Sequence, residues 1–322
     1  IQITGLYNMK TAAISGIFLF LPCFLAFFLQ KYYAEKKVYY SSSIAAKTIE
    51  YRKMSPFVKS LLVTLTFIFI LFVFCQLAFI VIGAFTEHWG YNYTPTLRHL
   101  RKIVTQQTDP FINSIKLAIL VSTVSSILGV LLAYLIKAKR VPGAKKLDFM
   151  VTLPAAVPGI LLGIGYLVTF KYPLFGLGKL IFPQMEPLIL LGTGIIIYLI
   201  CIYRYLYVGL KAGYALMEHM NPNIELAAVN LGAGEHRVFL DIIFPLLKPA
   251  FIAAFLKNFS STITTLGAII FLLLPSNKVA VQQIFQIMTS SEIGAAAMMA
   301  LMLSMVSLGL LGAFQILLNY RL

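Results

Sequence analysis

Seven polar side chains crowd into residues 257–265: Lys257, Asn258, Ser260, Ser261, Thr262, Thr264 and Thr265, inside an otherwise apolar run. At helical spacing, Lys257, Ser261 and Thr264 share one face, and Asn258, Thr262 and Thr265 share the next. Polar groups placed this way within a lipid-soluble run face a bundle interior or a wet cavity. They can line a path for a solute. Equally, small hydroxyls can hydrogen-bond helix to helix, with Lys257 extending its stem to the interface. A second group, Glu87, His88, His99 and Asp109, allows a metal relay to be drawn, but scattered surface residues read the same way, and no metal site is assigned. Other chemistry is absent from the sequence. There is no Gly-x-x-x-x-Gly-Lys-Ser/Thr loop to cradle nucleotide phosphates, no His-Glu-x-x-His and no nucleophile elbow. No catalytic residue is assigned.

The elements that must hold these residues are membrane spans. Of the 322 residues, 60% are hydrophobic and 11% charged, against roughly 45–50% and about 25% in soluble domains. The excess lies in runs long enough to cross a ~30 Å hydrocarbon layer at ~1.5 Å per residue. Spans are expected at about 11–30, 61–85, 112–136, 149–171, 187–208, 250–274 and 295–318. Pro154, Pro158, Gly159, Gly163 and Gly165 mark the span at 149–171 for either a break or close packing. Lys116 and Arg204 are expected near span ends, reaching the headgroups. Cys23, Cys75 and Cys201 all fall in spans and indicate neither a disulfide framework nor a metal site. Trp89, Tyr91 and Tyr93 read as an interfacial belt.

Charge sets the orientation. The net charge of +15 is not a nucleic-acid signature, since no basic stripe joins aromatic stacking residues in a soluble module. Counted by side, Lys and Arg number sixteen in 31–60, 137–146, 209–248 and the C-terminal tail, against six on the other side. The positive-inside tendency puts the first set in the cytoplasm. Asp and Glu are nearly excluded from the spans, which disfavours a carrier relaying protons through carboxylates.

The cytoplasmic segment 209–248 has structure of its own. Asn221 followed by Pro222 is a helix start, and Gly232 a stop. Between them Ile224, Ala227, Ala228 and Leu231 form one small apolar face. Val238, Phe239, Ile242 and Ile243 give a second amphipathic stretch that Pro245 and Pro249 are expected to end. The short helix can pack on the protein's own spans or dock on a separate partner.

The stretch "ELAAVNLGAGEHRVFLDIIFPLLKP" resembles the EAA loop of permease subunits of binding-protein-dependent ABC importers. The family pattern is Glu-Ala-Ala, three residues, Gly, nine residues, Ile, one residue, Leu-Pro. Ala227, Ala228, Gly232, Ile242 and Pro245 fall at these positions. Leu226 stands at the family Glu, with Glu225 one place earlier, and Phe244 stands before the Pro. The likeness continues through "LPAAVPGILLGIGYLVTF" and "FLKNFSSTITTLGAIIFLLLP", and is greatest to the ferric-iron-type permeases; phosphonate, polyamine and thiamine permeases are near alternatives. It implies an all-α polytopic membrane protein with a six-helix ABC importer transmembrane domain preceded by one extra transmembrane helix. Residues 1–30 would be the last helix of a preceding permease half, 31–60 a basic cytoplasmic linker, and 61–322 the six-span domain with its coupling loop at 209–248.

The resemblance further implies that Glu225, Ala227, Ala228, Leu231, Gly232, Ile242 and Pro245 couple to a cytoplasmic ABC ATPase dimer. ATP would be bound by that partner, with no cofactor in this chain. An external substrate-binding protein and a second permease half complete the expected assembly, in a bacterial inner membrane. The runner-up class is a secondary transporter without an ATPase, which has no need of a capped cytoplasmic helix.

Overall fold

A computed structural model describes residues 9–34, 54–137, 141–171, 190–218, 220 and 223–319. Asn221, Pro222 and most of the expected linker lie outside these. Six helices are long and apolar enough to cross a bilayer: Ile14–Tyr32, Pro56–Phe85, Thr108–Lys137, Ile195–Glu218, Val238–Ile263 and Ile293–Ile316; a bent pair makes a seventh if it counts as one span. The chain divides into two compact units, Ile1–Ala26 with Gln107–Gln283 and Leu303–Leu322, and Phe27–Gln106 with Ile284–Met302.

In the first unit, α4 (Thr108–Lys137) and α7 (Ile195–Glu218) pack along a stripe of small residues. Ser122, Ser125, Ser126, Gly129 and Ala133 of α4 are buried, as are Gly209 and Gly213 of α7. A Cβ on Gly129 would lie 2.4 Å from the Leu206 carbonyl oxygen, and one on Gly213 2.5 Å from the Ala133 Cβ. Lipid tails are as apolar as leucine, so helices in a bilayer associate through such close backbone approach and not through hydrophobicity alone. The third partner is α10 (Phe244–Ile263). One end of the unit is closed by Leu117, Val121, Ile196, Ile200, Tyr205 and Ile269. Val130, Tyr134, Ala228, Val238, Ile243 and Leu247 close the other.

Three boundaries differ from expectation. The run 149–171 is two helices, α5 (Ala144–Ala156) and α6 (Gly159–Lys171), bent by 112° where Val157 turns extended before Pro158. Close packing occurs at the same place, because a Cβ on Gly163 would lie 2.6 Å from the Ala268 oxygen. Gly165 meets nothing within 4 Å. Second, α7 continues to Glu218, ten residues past the expected end. Third, α10 stops at Ile263, and turns carry the chain through the apolar residues that follow.

The second unit holds α2 (Pro56–Phe85), whose buried residues are Gly83 and Ala84. A 30-residue helix this apolar with its sides exposed is suited to lipid. Beyond it, β1 (Thr86–His88) and β2 (Asn92–Pro95) form an antiparallel hairpin, turned at Gly90 with φ +94°. Trp89 packs edge-on against Phe79 and Tyr93. Helix α3 (Arg98–Gln106) follows. His99 Nε2 lies 2.9 Å from the Thr86 carbonyl oxygen, and Lys102 pairs with Glu292, just before the last helix, Ile293–Asn319.

Candidate coupling surface and intramembrane polar residues

Past α7 the chain forms α8 (Asn223–Asn230). Its end is a Schellman cap. The Ala233 N–H donates to the Ala228 carbonyl at 3.1 Å and the Gly232 N–H to the Val229 carbonyl at 2.9 Å. Gly232 holds φ +86°, a conformation that costs an L side chain about 1–2 kcal/mol. The cap satisfies carbonyls that the helix end would otherwise leave open.

The expected single apolar face divides in two. Ala228 turns inward and is buried with Tyr134, Val238, Ile243 and Leu247. Ala227 and Leu231 turn outward, Leu231 being 89% exposed and Val229 46%. Glu225, half-buried, accepts a hydrogen bond from the Tyr134 hydroxyl of α4 at 3.2 Å. The short helix is therefore anchored on one side and apolar on its free side.

After the turn at 231–234 the chain resumes as helix and runs into the membrane. A turn, α9 (Glu235–Arg237), leads into a π-helical segment, Val238–Ile243, that merges with α10. There the Phe244 N–H reaches back five residues to the Phe239 carbonyl. Pro245 and Pro249 do not end this stretch, as they were expected to. Pro245 follows directly on the π segment and Pro249 lies one turn further on, so both stand within the continuous helix Val238–Ile263. Ile242 is half-buried and Pro245 exposed.

The polar run of α10 faces two ways. Asn258 and Thr262 are buried; the Asn258 amide donates to the Ser125 and Ser126 hydroxyls at 2.9 and 3.0 Å. Lys257 is exposed and Ser261 half-buried, and the Ser261 carbonyl accepts the Tyr205 hydroxyl at 2.9 Å. Thr264 and Thr265 lie past the helix end, so they do not extend its faces; Thr264 Oγ1 donates back to the Ser260 carbonyl at 3.1 Å.

Arg204 does not stand at a span end. Its guanidinium lies at the α5–α6 break, where a Cβ on Gly159 would be 2.5 Å from Nη1. The Ser125–Ser126 partners and Arg204's depth are what the sequence reading missed. The repeat Ser122-x-x-x-Ser126-x-x-Gly129-x-x-x-Ala133 was the available signal for the first. Among the described residues no three His, Cys, Asp or Glu side chains gather as metal ligands. Glu87, His88 and His99 line a cleft of about 250 Å³ with Arg98 and Lys102.

No family model matches the chain. Over 294 residues it is 26% identical to the ferric transport system permease protein FbpB of Actinobacillus pleuropneumoniae, covering 90% of this chain and 41% of that protein. It therefore spans less than half of that relative's length. Over 100 residues it is 32% identical to the ferric transport system permease-like protein AfuB of Escherichia coli strain K12, covering 31% of this chain and 83% of that protein. In fold it matches the crystal structure of a bacterial ABC transporter involved in the import of the acidic polysaccharide alginate. The TM-score is 0.65 at 18% identity, over 83% of this chain and 96% of that one. With its apolar helices, this makes it a multi-pass protein of the bacterial inner membrane. The chain belongs to the permease subunits of binding-protein-dependent ABC importers, among those of the ferric type.

Proposed function

We propose that this chain forms the gated membrane path of an ATP-driven importer, with ferric iron as cargo. A separate cytoplasmic ATPase dimer drives it through α8, an external binding protein delivers the solute, and a second permease half completes the path. One observation carries the coupling role: the outward side chain of Leu231 is 89% exposed on a helix whose other side is fixed by Ala228 and by the Tyr134–Glu225 hydrogen bond. Closure of an ATPase dimer has to push on something that does not bend. Through Ala228 the capped helix packs on Val238, Ile243 and Leu247, in the segment that runs by a π turn into α10, and that contact transmits such a push into the membrane.

Glu225, Ala227, Ala228, Leu231, Gly232, Ile242 and Pro245 belong to this lever. Lys257, Ser261, Thr262, Thr264 and Thr265 are the polar path residues, with Asn258 also fixing α10 against α4. The ferric reading is supported by the names of the two permease relatives. The test is uptake of ⁵⁵Fe by liposomes holding the complete transporter, with and without its ATPase. Uptake that requires both ATP and the ATPase is expected. Equal uptake by the permease alone would make it a secondary carrier.

A further inference from the structure

We propose that Arg204 is an anion-recognition residue on the translocation path, so that the cargo crosses as a net-anionic, oxyanion-bearing species and not as a bare cation. This rests on the transport reading above and names the chemical class of what is carried.

The first observation is depth. Arg204 stands about 14 Å from the first residue of α7 and about 21 Å from the last, at ~1.5 Å per residue. Arg204 thus stands inside the helix and not at either end, and an ionisable group inside a span marks a functional position.

The second is an unmet donor. Nη1 of Arg204 is buried and has no hydrogen-bond partner among the described residues. The rest of the guanidinium is held in place: it lies 6.0 Å from the centre of the Tyr205 ring, and it and Thr265 both reach the Tyr205 hydroxyl. A buried donor of a charged group left without an acceptor is costly, and such exceptions in a native fold call for an explanation.

The surroundings point to one class of acceptor. In the six apolar helices carboxylates stand only at the ends, as Asp109, Glu218 and Asp241. Lys116, Arg204 and Lys257 stand further in. Asp148, in α5, already accepts the Tyr214 hydroxyl at 2.9 Å. Nη1 also lies where the span is broken. The point 2.5 Å from it, beside Gly159, is 3.2 Å from the Ala268 backbone nitrogen. The glycine thus lets the backbone of the broken span come against the guanidinium. Irregular backbone at membrane depth is found where it is buried in protein or lines a cavity, and a planar guanidinium fork is matched by phosphate or carboxylate oxygens. A bare trivalent cation would meet only repulsion from these groups.

The oxyanion can arrive as a ligand on the metal or alone. The complete transporter in liposomes is therefore given ferric iron with ³²P-phosphate, or ³²P-phosphate without iron. In the wild type, ⁵⁵Fe and ³²P are expected to enter together. Arg204→Met should lower that uptake at least ~10-fold while binding-protein-stimulated ATP hydrolysis stays within about twofold; Arg204→Lys, which keeps the charge, should recover part of it. Preserved ATP hydrolysis separates a lost anion contact from a misfolded chain. Phosphate entering equally well without iron would uphold the role of Arg204 and overturn the ferric cargo. Iron entering without phosphate, or Arg204→Met transporting at the wild-type rate with ATP-dependent uptake intact, would overturn this proposal and leave the transporter reading standing. ATP-independent uptake in the wild type would remove both.

Discussion

Gly232 offers the cleanest perturbation of the lever. Its φ of +86° favours glycine, and a Cβ there would meet nothing within 4 Å. A substitution therefore strains the backbone without colliding with the rest of the chain. The strain is about 1–2 kcal/mol for an ordinary L residue, and less for Asn, which enters the left-handed region more readily. One to two kcal/mol is a factor of roughly 5–30 between the capped end and a frayed one. Gly232→Leu is expected to lower uptake and binding-protein-stimulated ATP hydrolysis by about that factor, with insertion and amount of protein unchanged. Gly232→Asn should keep most of both, and Gly232→Ala should fall between. The side-chain size that separates Leu from Ala matters only if a partner surface lies over the turn. Uptake of iron at the wild-type rate by the Leu variant would refute both the rigid cap and the docking it serves.

Two further expectations concern packing in the first unit. At Gly129 a methyl would sit 2.4 Å from the Leu206 oxygen and 2.8 Å from the Gly209 Cα. Backbone cannot rotate aside, so Gly129→Ala should cost at least ~1–3 kcal/mol and lower the melting temperature in detergent; Gly165→Ala, facing open space, should stabilise by about 0.5–1 kcal/mol. Asn258→Leu removes two interhelical hydrogen bonds worth ~0.6 kcal/mol each on average in a bilayer, ~1.7 at most. A double-mutant cycle with Ser126→Ala in a detergent unfolding series should therefore give coupling of about 0.5–1.5 kcal/mol; no coupling would mean that the bond contributes nothing.

The spans were legible because lipid demands long apolar runs, and α8 because Gly232 and the Ala pair carry its geometry. Boundaries were harder for identifiable reasons. Gly209, Lys211, Gly213 and Tyr214 dilute the hydropathy of the last turns of α7, yet the two glycines are buried there. That concealed the depth of Arg204. In the opposite sense, Leu266 to Leu274 look like more helix, but the preceding Ser and Thr residues offer the backbone local hydrogen bonds that compete with helix. Thr264 takes one, and the chain turns. The partners of Asn258 lie more than 130 residues away in sequence, a pairing that periodicity within one helix cannot reveal. The hairpin was missed although its aromatic and β-branched residues flank a glycine, which is a strand-turn-strand signal.

The central claim is that an ATPase seats on the outward side of α8. A photo-crosslinking side chain in place of Leu231, in the assembled transporter, tests it most directly. The account predicts a covalent product with the ATPase subunit that weakens when the Gly232→Leu substitution is added. Crosslinks confined to this chain's own helices or to lipid, in a transporter that still imports its cargo at the normal rate, would contradict it.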